Sequence, residues 1–149
     1  CPAQLLGPQI DMASIRLVMA RGCGEFLQGC DADLIIPVPL HPKRLRWRGF
    51  NQALLLARQL SRAYGIATDP FVLRRVKETP PQTQLNEEER RRNVRGAFAL
   101  APRRSLEGKK VLLVDDVYTS GATVNECSRT LTRSGAEQVC VVTLARAVS

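Results

Sequence analysis

This chain of 149 residues has no C-x-x-C pair, no G-x-x-x-x-G-K-[ST] loop, a single histidine at His41, and no apolar run long enough to span a bilayer. Each absence removes a class. Five cysteines, Cys1, Cys23, Cys30, Cys127 and Cys140, in an odd count without metal-ligand spacing, argue for reduced thiols in a cytoplasm. Without the P-loop pattern the chain is not a Walker-type nucleotide hydrolase. GCGEFLQG, Gly22 to Gly29, misplaces the third glycine of a dinucleotide fingerprint, and Pro37 and Pro39 fall on the next strand. No Asp comes after Asp116, although a receiver domain needs a further downstream aspartate to take its phosphoryl group. The short apolar runs exclude membrane insertion, and no charged-then-apolar leader supports secretion.

What is present suits one soluble domain, since 44% hydrophobic residues over this length build a single core without staples. The formal charge is +8, from 22 Lys and Arg spread between Arg16 and Arg146. That is more positive charge than one small anionic site uses. A basic surface that attracts nucleic acid and a generally solvated, Arg-rich surface both account for the excess.

The most informative run is VLLVDDVYTSGATV, Val111 to Val124. Val111 to Val114 form an unbroken aliphatic stretch, the pattern of a central parallel strand covered on both faces. Such a strand delivers the residues after it to the carboxyl edge of the sheet, where open α/β folds bind ligands. Thr119, Ser120, Gly121, Ala122 and Thr123 can turn tightly, present backbone N–H groups and add three hydroxyls ahead of a helix, which makes an anion cradle. Asp115 and Asp116 would repel a phosphate on contact and are matched instead to hydrogen-bond donors such as the adjacent hydroxyls of a ribose. The run therefore suits a ribose 5′-phosphate.

Elsewhere, Leu34 to Val38 reads as a first buried strand, ended by Pro37, Pro39 and Pro42. A basic loop through Lys43, Arg44, Arg46 and Arg48 leads to Asn51, a candidate N-cap for a helix that Gly65 stops. Phe71 to Val76 is a short second strand. Lys77 to Asn93 has few hydrophobic anchors, with Asn86 placed to cap a short helix carrying Glu/Arg pairs. Gly96 to Leu100 and Val139 to Leu144 are further strands, and Thr123 to Ser134 is a helix with Val124, Cys127 and Leu131 inward. Cys127 and Cys140 fall on core faces as small hydrophobes. In Pro2 to Gln28, helical spacing at Ile15, Val18 and Met19 is interrupted by Gly22, Gly24 and Gly29. Alternating strands and helices favour a parallel α/β sheet with ligand loops along one edge.

The run at Asp115 resembles the phosphoribosyl-pyrophosphate (PRPP) signature of type I phosphoribosyltransferases. PVPLHPKRLRWRGFNQ (Pro37 to Gln52), LRRVKETPPQTQL (Leu73 to Leu85) and ERRRNVRGAF (Glu89 to Phe98) are similar, in order and spacing, to the ComF family of competence-associated phosphoribosyltransferase-like proteins. The likeness extends from about Asp33 to Ala147. It implies a type I phosphoribosyltransferase fold, a central parallel sheet flanked by helices with a flexible hood, over residues 31–149. On this reading residues 1–30 are a poorly defined N-terminal segment without the paired cysteines of the family's zinc ribbon, which was either trimmed from this chain or never present in it.

The same resemblance implies transfer of phosphoribosyl from PRPP to an unidentified acceptor, with release of pyrophosphate and help from Mg2+. Asp115 and Asp116 would act as the catalytic pair on the ribose and reach magnesium through water; Thr119 to Thr123 would take the 5′-phosphate. Leu40, His41, Lys43, Arg44, Arg48, Arg75 and Lys77 would face pyrophosphate. Thr79, Gln82, Leu85, Arg90 and Asn93 fit the hood. Bland readings stand beside these: His41 as a turn residue, Arg48 packed on Phe50, Tyr118 at the mouth. The family equally admits a non-catalytic competence and DNA-uptake factor that binds single-stranded DNA or a helicase partner and uses PRPP at most as a signal, with Trp47 among arginines as its stacking residue. A dimer is compatible with either reading.

Overall fold

The computed structural model describes residues 24–79, 85–118 and 121–146. In chain order the elements are α1 (Gly24–Cys30), β1 (Leu34–Pro37), α2 (Pro42–Arg48), α3 (Gln52–Tyr64), β2 (Ala67–Thr68), β3 (Leu73–Arg75), α4 (Glu87–Val94), β4 (Phe98–Leu100), β5 (Lys110–Tyr118), α5 (Ala122–Arg133) and β6 (Gln138–Arg146). Four strands form a parallel sheet in the order β2-β1-β5-β6, while β3 and β4 pair separately and antiparallel.

The sheet is covered on both faces because β5 is apolar on both. Val111 and Leu113 pack with Ile36, Val124, Cys127 and Leu131 on the α5 side. Leu112 and Val114 pack with Ile35, Leu56, Leu60 and Leu27 on the α3 side. Helix α3 starts where Asn51 Oδ1 accepts from the Ala53 N–H at 3.0 Å and ends at Gly65, so its local signals coincide with its observed limits. Its buried Ala53, Leu56, Ala57 and Leu60 form one stripe at helical spacing.

Several expectations change. The strand at Asp115 does not end at Val114: it continues through Tyr118, held by pairing of Val117 with Ala145 and Tyr118 with Arg146 on β6, so both aspartates lie within the strand. Leu73–Arg75 does not join the parallel series but turns back against Phe98–Leu100, because Val72, Leu73, Ala97 and Phe98 are buried together over the α5 side of the sheet. The basic segment after β1 contains helix α2, with Pro42 in its first turn and the His41 side chain accepting from the Lys43 N–H. Gly24 and Gly29 sit inside α1, which Leu27 anchors to the α3-side core. That docking carries Cys30 to β6, where it is joined to Cys140 with Cα atoms 6.3 Å apart, so this pair departs from the expected reduced thiols. Cys127 is free and buried, as its position on the inner face of α5 requires.

The turn after α5 depends on Gly135, whose φ of +100° lies where side-chain-bearing residues are strained. A Cβ there would stand 3.1 Å from Glu107 Cα and 3.2 Å from its backbone nitrogen. Gly135→Ala is expected to lower unfolding free energy by about 1–3 kcal/mol in urea titration. An unchanged midpoint would show that the turn relaxes freely. Among the described residues no helix is long and apolar enough to cross a membrane.

Candidate functional site

The carboxyl end of β1 lies beside the middle of β5, with Pro37 opposite Val114 and β5 running on to Tyr118. From β1 the chain moves outward to β2, whereas β5 and β6 extend the sheet in the other direction. This is a topological switch point, the place where loops at the carboxyl ends diverge and leave a crevice. The loop after β1 starts there, with the Val38 N–H donating to Val114 O at 2.8 Å.

Asp115 enters the crevice from β5 with only 9% of its surface exposed. Burial, reinforced by hydrogen bonding and repulsion from the Asp116 carboxylate, pushes its pKa up to about 7. Two influences oppose this: the Asp116 N–H donates to Asp115 Oδ1 at 2.8 Å, and the Arg75 guanidinium attracts the charged form. The pair is thus a concentrated negative site only partly neutralised by the protein. Asp116 is half-buried beside it.

Arg75 arrives at the end of β3, half-buried. Its guanidinium donates to the Thr79 hydroxyl and lies 5.3 Å over the Phe98 ring. Burial, then Arg44, lower its pKa; the Asp115 carboxylate counters them. Its Nε is buried without a hydrogen-bond partner, an unmet donor in a cationic group beside the crevice. Arg75, from β3, is therefore under the electrostatic influence of both Arg44 from α2 and Asp115 from β5.

On the other side, Gly121 opens α5 with φ 78° and ψ 0°, a left-handed conformation that aims the following amides along the helix axis. Ala122 is buried and Thr123 half-buried in the first turn, and no acidic residue lies in that turn. The positive end of a twelve-residue helix thus faces the crevice without an opposing carboxylate in its own first turn. Thr119 and Ser120 lie outside the described residues, as does Gln82.

The remaining expected residues divide. Leu40 is half-buried in the loop after β1. His41 caps α2, its Nδ1 accepting from Lys43 N at 3.3 Å, which is the turn role rather than that of a base. Lys43 pairs with Glu78 at 3.0 Å, and this contact holds the Glu78 carboxyl below its ordinary range while linking α2 to the segment after β3. Arg48, in the last turn of α2, and Lys77 are exposed. Thr79 is buried under Arg75. Leu85, Arg90 and Asn93 are half-buried around α4, which has a full capping box between Asn86 and Glu89 and i, i+4 pairs from Glu87 to Arg91 and Glu88 to Arg92. Buried Val94 and the Gly96 N–H, donated to Glu126 Oε1 at 3.1 Å, fasten the end of this excursion. Phe98 and Glu78 were not expected in the site. Both depend on the antiparallel return of β4 along β3 and on the fold of α2; the only sequence signal was the buried pattern of Ala97 and Phe98.

Comparison with known proteins agrees with this arrangement. The profile of the phosphoribosyl transferase domain matches residues 49–149. The chain belongs to the phosphoribosyl transferase domain family. Within that family it falls with the ComF proteins: it is 45% identical over 116 residues to competence protein F of Haemophilus influenzae, covering 77% of this chain and 51% of that protein. It is 40% identical over 114 residues to the DNA utilization protein YhgH of Salmonella typhi, covering 76% of this chain and 49% of that one. The chain thus spans about half the length of the curated relatives it matches. A purine phosphoribosyltransferase from Pyrococcus horikoshii shares the fold, with a TM-score of 0.55 at 21% identity over 90% of this chain and 71% of that one. Of the run that carries the family resemblance, Asp115 to Tyr118 thus lie on β5 and Gly121 to Thr123 open α5.

Proposed function

We propose that this domain binds PRPP at the β1–β5 crevice and transfers its phosphoribosyl group to an acceptor, releasing pyrophosphate. One observation carries the reading: Asp115 and Asp116 adjoin on β5, the Arg75 guanidinium with its unmet Nε donor acts on Asp115, and the first turn of α5 that follows in the chain holds no acidic residue. Such a sequence of anion site, carboxylates and cation is complementary to a sugar with a phosphate at one end and a second anionic group at the other.

In the reaction the bond from the anomeric carbon to pyrophosphate breaks, its electrons leaving with the pyrophosphate, and a bond to the acceptor nucleophile forms. The transition state has oxocarbenium character, so stabilising the departing charge and holding the sugar still do most of the work. Asp115 and Asp116 would accept from the ribose hydroxyls. The amides beginning at Gly121, with Thr119, Ser120 and Thr123, would hold the 5′-phosphate. Arg75 and Arg44 would meet the charge that grows on pyrophosphate, with the Leu40 and His41 backbone alongside. Lys43 would leave Glu78 for the ligand, while Arg48 and Lys77 would supply longer-range attraction. Thr79 would position Arg75, and Gln82, Leu85, Arg90 and Asn93 would cover the ligand as a hood.

Magnesium fits the residues present. Among the described residues no group of three or more His, Cys, Asp or Glu forms a protein cage, and the two adjacent carboxylates match an ion that keeps several waters and shares substrate oxygens. Asp115 and Asp116 would hold it, and it would supply charge neutralisation to the pyrophosphate oxygens. Titration calorimetry with PRPP should give saturable heat in magnesium buffer and at least tenfold weaker binding with EDTA. Absence of heat from the intact chain would reject the proposal.

A second reading has its own observation. Trp47 is 86% exposed in the last turns of α2, between Arg46 and Arg48. That is an aromatic face flanked by cations, the surface that stacks unpaired bases. Fluorescence quenching of the sole tryptophan by oligothymidylate, lost between low and moderate salt, is expected. Quenching that salt leaves unchanged would argue against it.

A further inference from the structure

Adjoining the β1–β5 crevice, and sharing Pro37, Leu40 and Arg75 with it, a cleft of about 630 Å³ opens between α2, the start of α3 and the approach to β3. Its floor is apolar, including Pro37, Pro39, Leu54 and Leu73. Leu45, Phe50 and Phe71 also line it and stay 41%, 45% and 71% exposed, so the apolar surface runs out beyond the cleft itself. A small ligand would leave this rim wet. A chain segment would cover both floor and rim.

The charge around the cleft is one-sided. From Leu34 to Thr68 the sequence has Lys43, Arg44, Arg46, Arg48, Arg58 and Arg62 and no Asp or Glu. Arg58, Arg74 and Arg75 themselves line the cleft, and among the described residues no carboxylate does. Of the acids that flank these residues in sequence, Asp33 accepts from the Lys110 N–H at 2.9 Å, Asp69 pairs with Arg104 at 2.6 Å and Glu78 with Lys43 at 3.0 Å. We propose that this cleft binds an acidic peptide segment, which seats a large aliphatic or aromatic side chain on the Pro–Leu floor and lays its carboxylates against Arg58 and Arg74.

The same features disfavour other occupants. A two-fold contact between copies would set this acid-free surface against itself, with cation facing cation. A nucleotide base would lose its edge hydrogen bonds on the floor, where the Asn51 amide is committed to Val38 O at 3.1 Å and to Ala53 N at 3.0 Å. Recognition by strand addition is also blocked. Strand β2 pairs only with Leu34 and Ile35, and the next outward-facing position on β1 is Pro37, which has no N–H to donate. The peptide is therefore read through side chains.

The test is fluorescence anisotropy with a labelled octapeptide, Glu-Asp-Glu-Leu-Asp-Asp-Leu-Phe, against the full chain. Saturable binding is expected, weakened at least tenfold when the carboxylates are replaced by amides and at least tenfold when Leu, Leu and Phe are replaced by serine. Leu45→Glu and Arg58→Glu should each cost at least tenfold, with unchanged circular dichroism; if either fails to fold, exposed-site truncations Leu45→Ala and Arg58→Ala serve in its place. No binding, or binding indifferent to the cleft variants, overturns the proposal. Oligothymidylate binding that the cleft variants abolish, without peptide binding, assigns the cleft to nucleic acid. A sedimenting dimer that Leu45→Glu splits assigns it to a second copy.

Discussion

Asp115→Asn with Asp116→Asn is expected to abolish magnesium-dependent PRPP binding while making the ligand-free protein more stable. The two effects have one origin. Burial and the neighbouring carboxylate hold the Asp115 pKa at about 7, against 3.8 for an ordinary aspartate. Between those values the folded chain binds more protons than the unfolded chain, so stability falls as pH rises from about 4 to about 7 and levels off above. At pH 8, in magnesium-free buffer, Asp115→Asn alone removes a penalty of up to roughly 4 kcal/mol. Urea titrations should therefore show the variant and the parent converging near pH 4 and diverging toward pH 7. Parallel curves would show that Asp115 is not held in this state. PRPP affinity of the double variant should fall at least a hundredfold by calorimetry, since both acceptors for the ribose hydroxyls and the anchor for magnesium are lost; retained affinity would place the ribose elsewhere.

Arg75→Met is expected to weaken PRPP binding by about tenfold to a hundredfold, the worth of a charged hydrogen bond to a phosphate oxygen. Stability should change by less than about 1 kcal/mol. The guanidinium is half-buried with its Nε unmet, so its removal relieves a desolvation cost; the methionine keeps apolar contact with the Phe98 ring, and the lost bond to Thr79 offsets part of the gain. A second readout separates this from a packing effect. Arg75 attracts the Asp115 carboxylate, so without it Asp115 keeps its proton to higher pH, and the inflection in the stability curve should move upward. An unmoved inflection with unchanged PRPP affinity would remove Arg75 from the site.

The legible parts of the chain were those governed by near neighbours. Asn51 and Gly65 bound α3 because capping is decided within a turn of helix. Asn86 and Glu89 close the capping box of α4 for the same reason. The apolar run at Val111 signalled a strand covered on both faces, and the small residues after Asp116 signalled the helix entry at Gly121. Where contacts are long-range, local reading stopped short. Continuation of β5 past Asp115 rests on β6, the reversal of β3 onto β4 on a shared apolar patch, and the Cys30–Cys140 link on the docking of α1.

By itself, then, the sequence determined the local parts: adjacent carboxylates, a run of small and hydroxyl residues leading into a helix, and an excess of cations, each recognisable because the residues that form it are consecutive. Only the tertiary structure decided that these parts meet. The strand order β2-β1-β5-β6 sets the start of the loop after β1 beside Val114 on β5, and the antiparallel β3–β4 pair brings Arg75 over Phe98 to Asp115. Strand order depends on which faces can be buried together, a property of the whole core that no single run of residues contains.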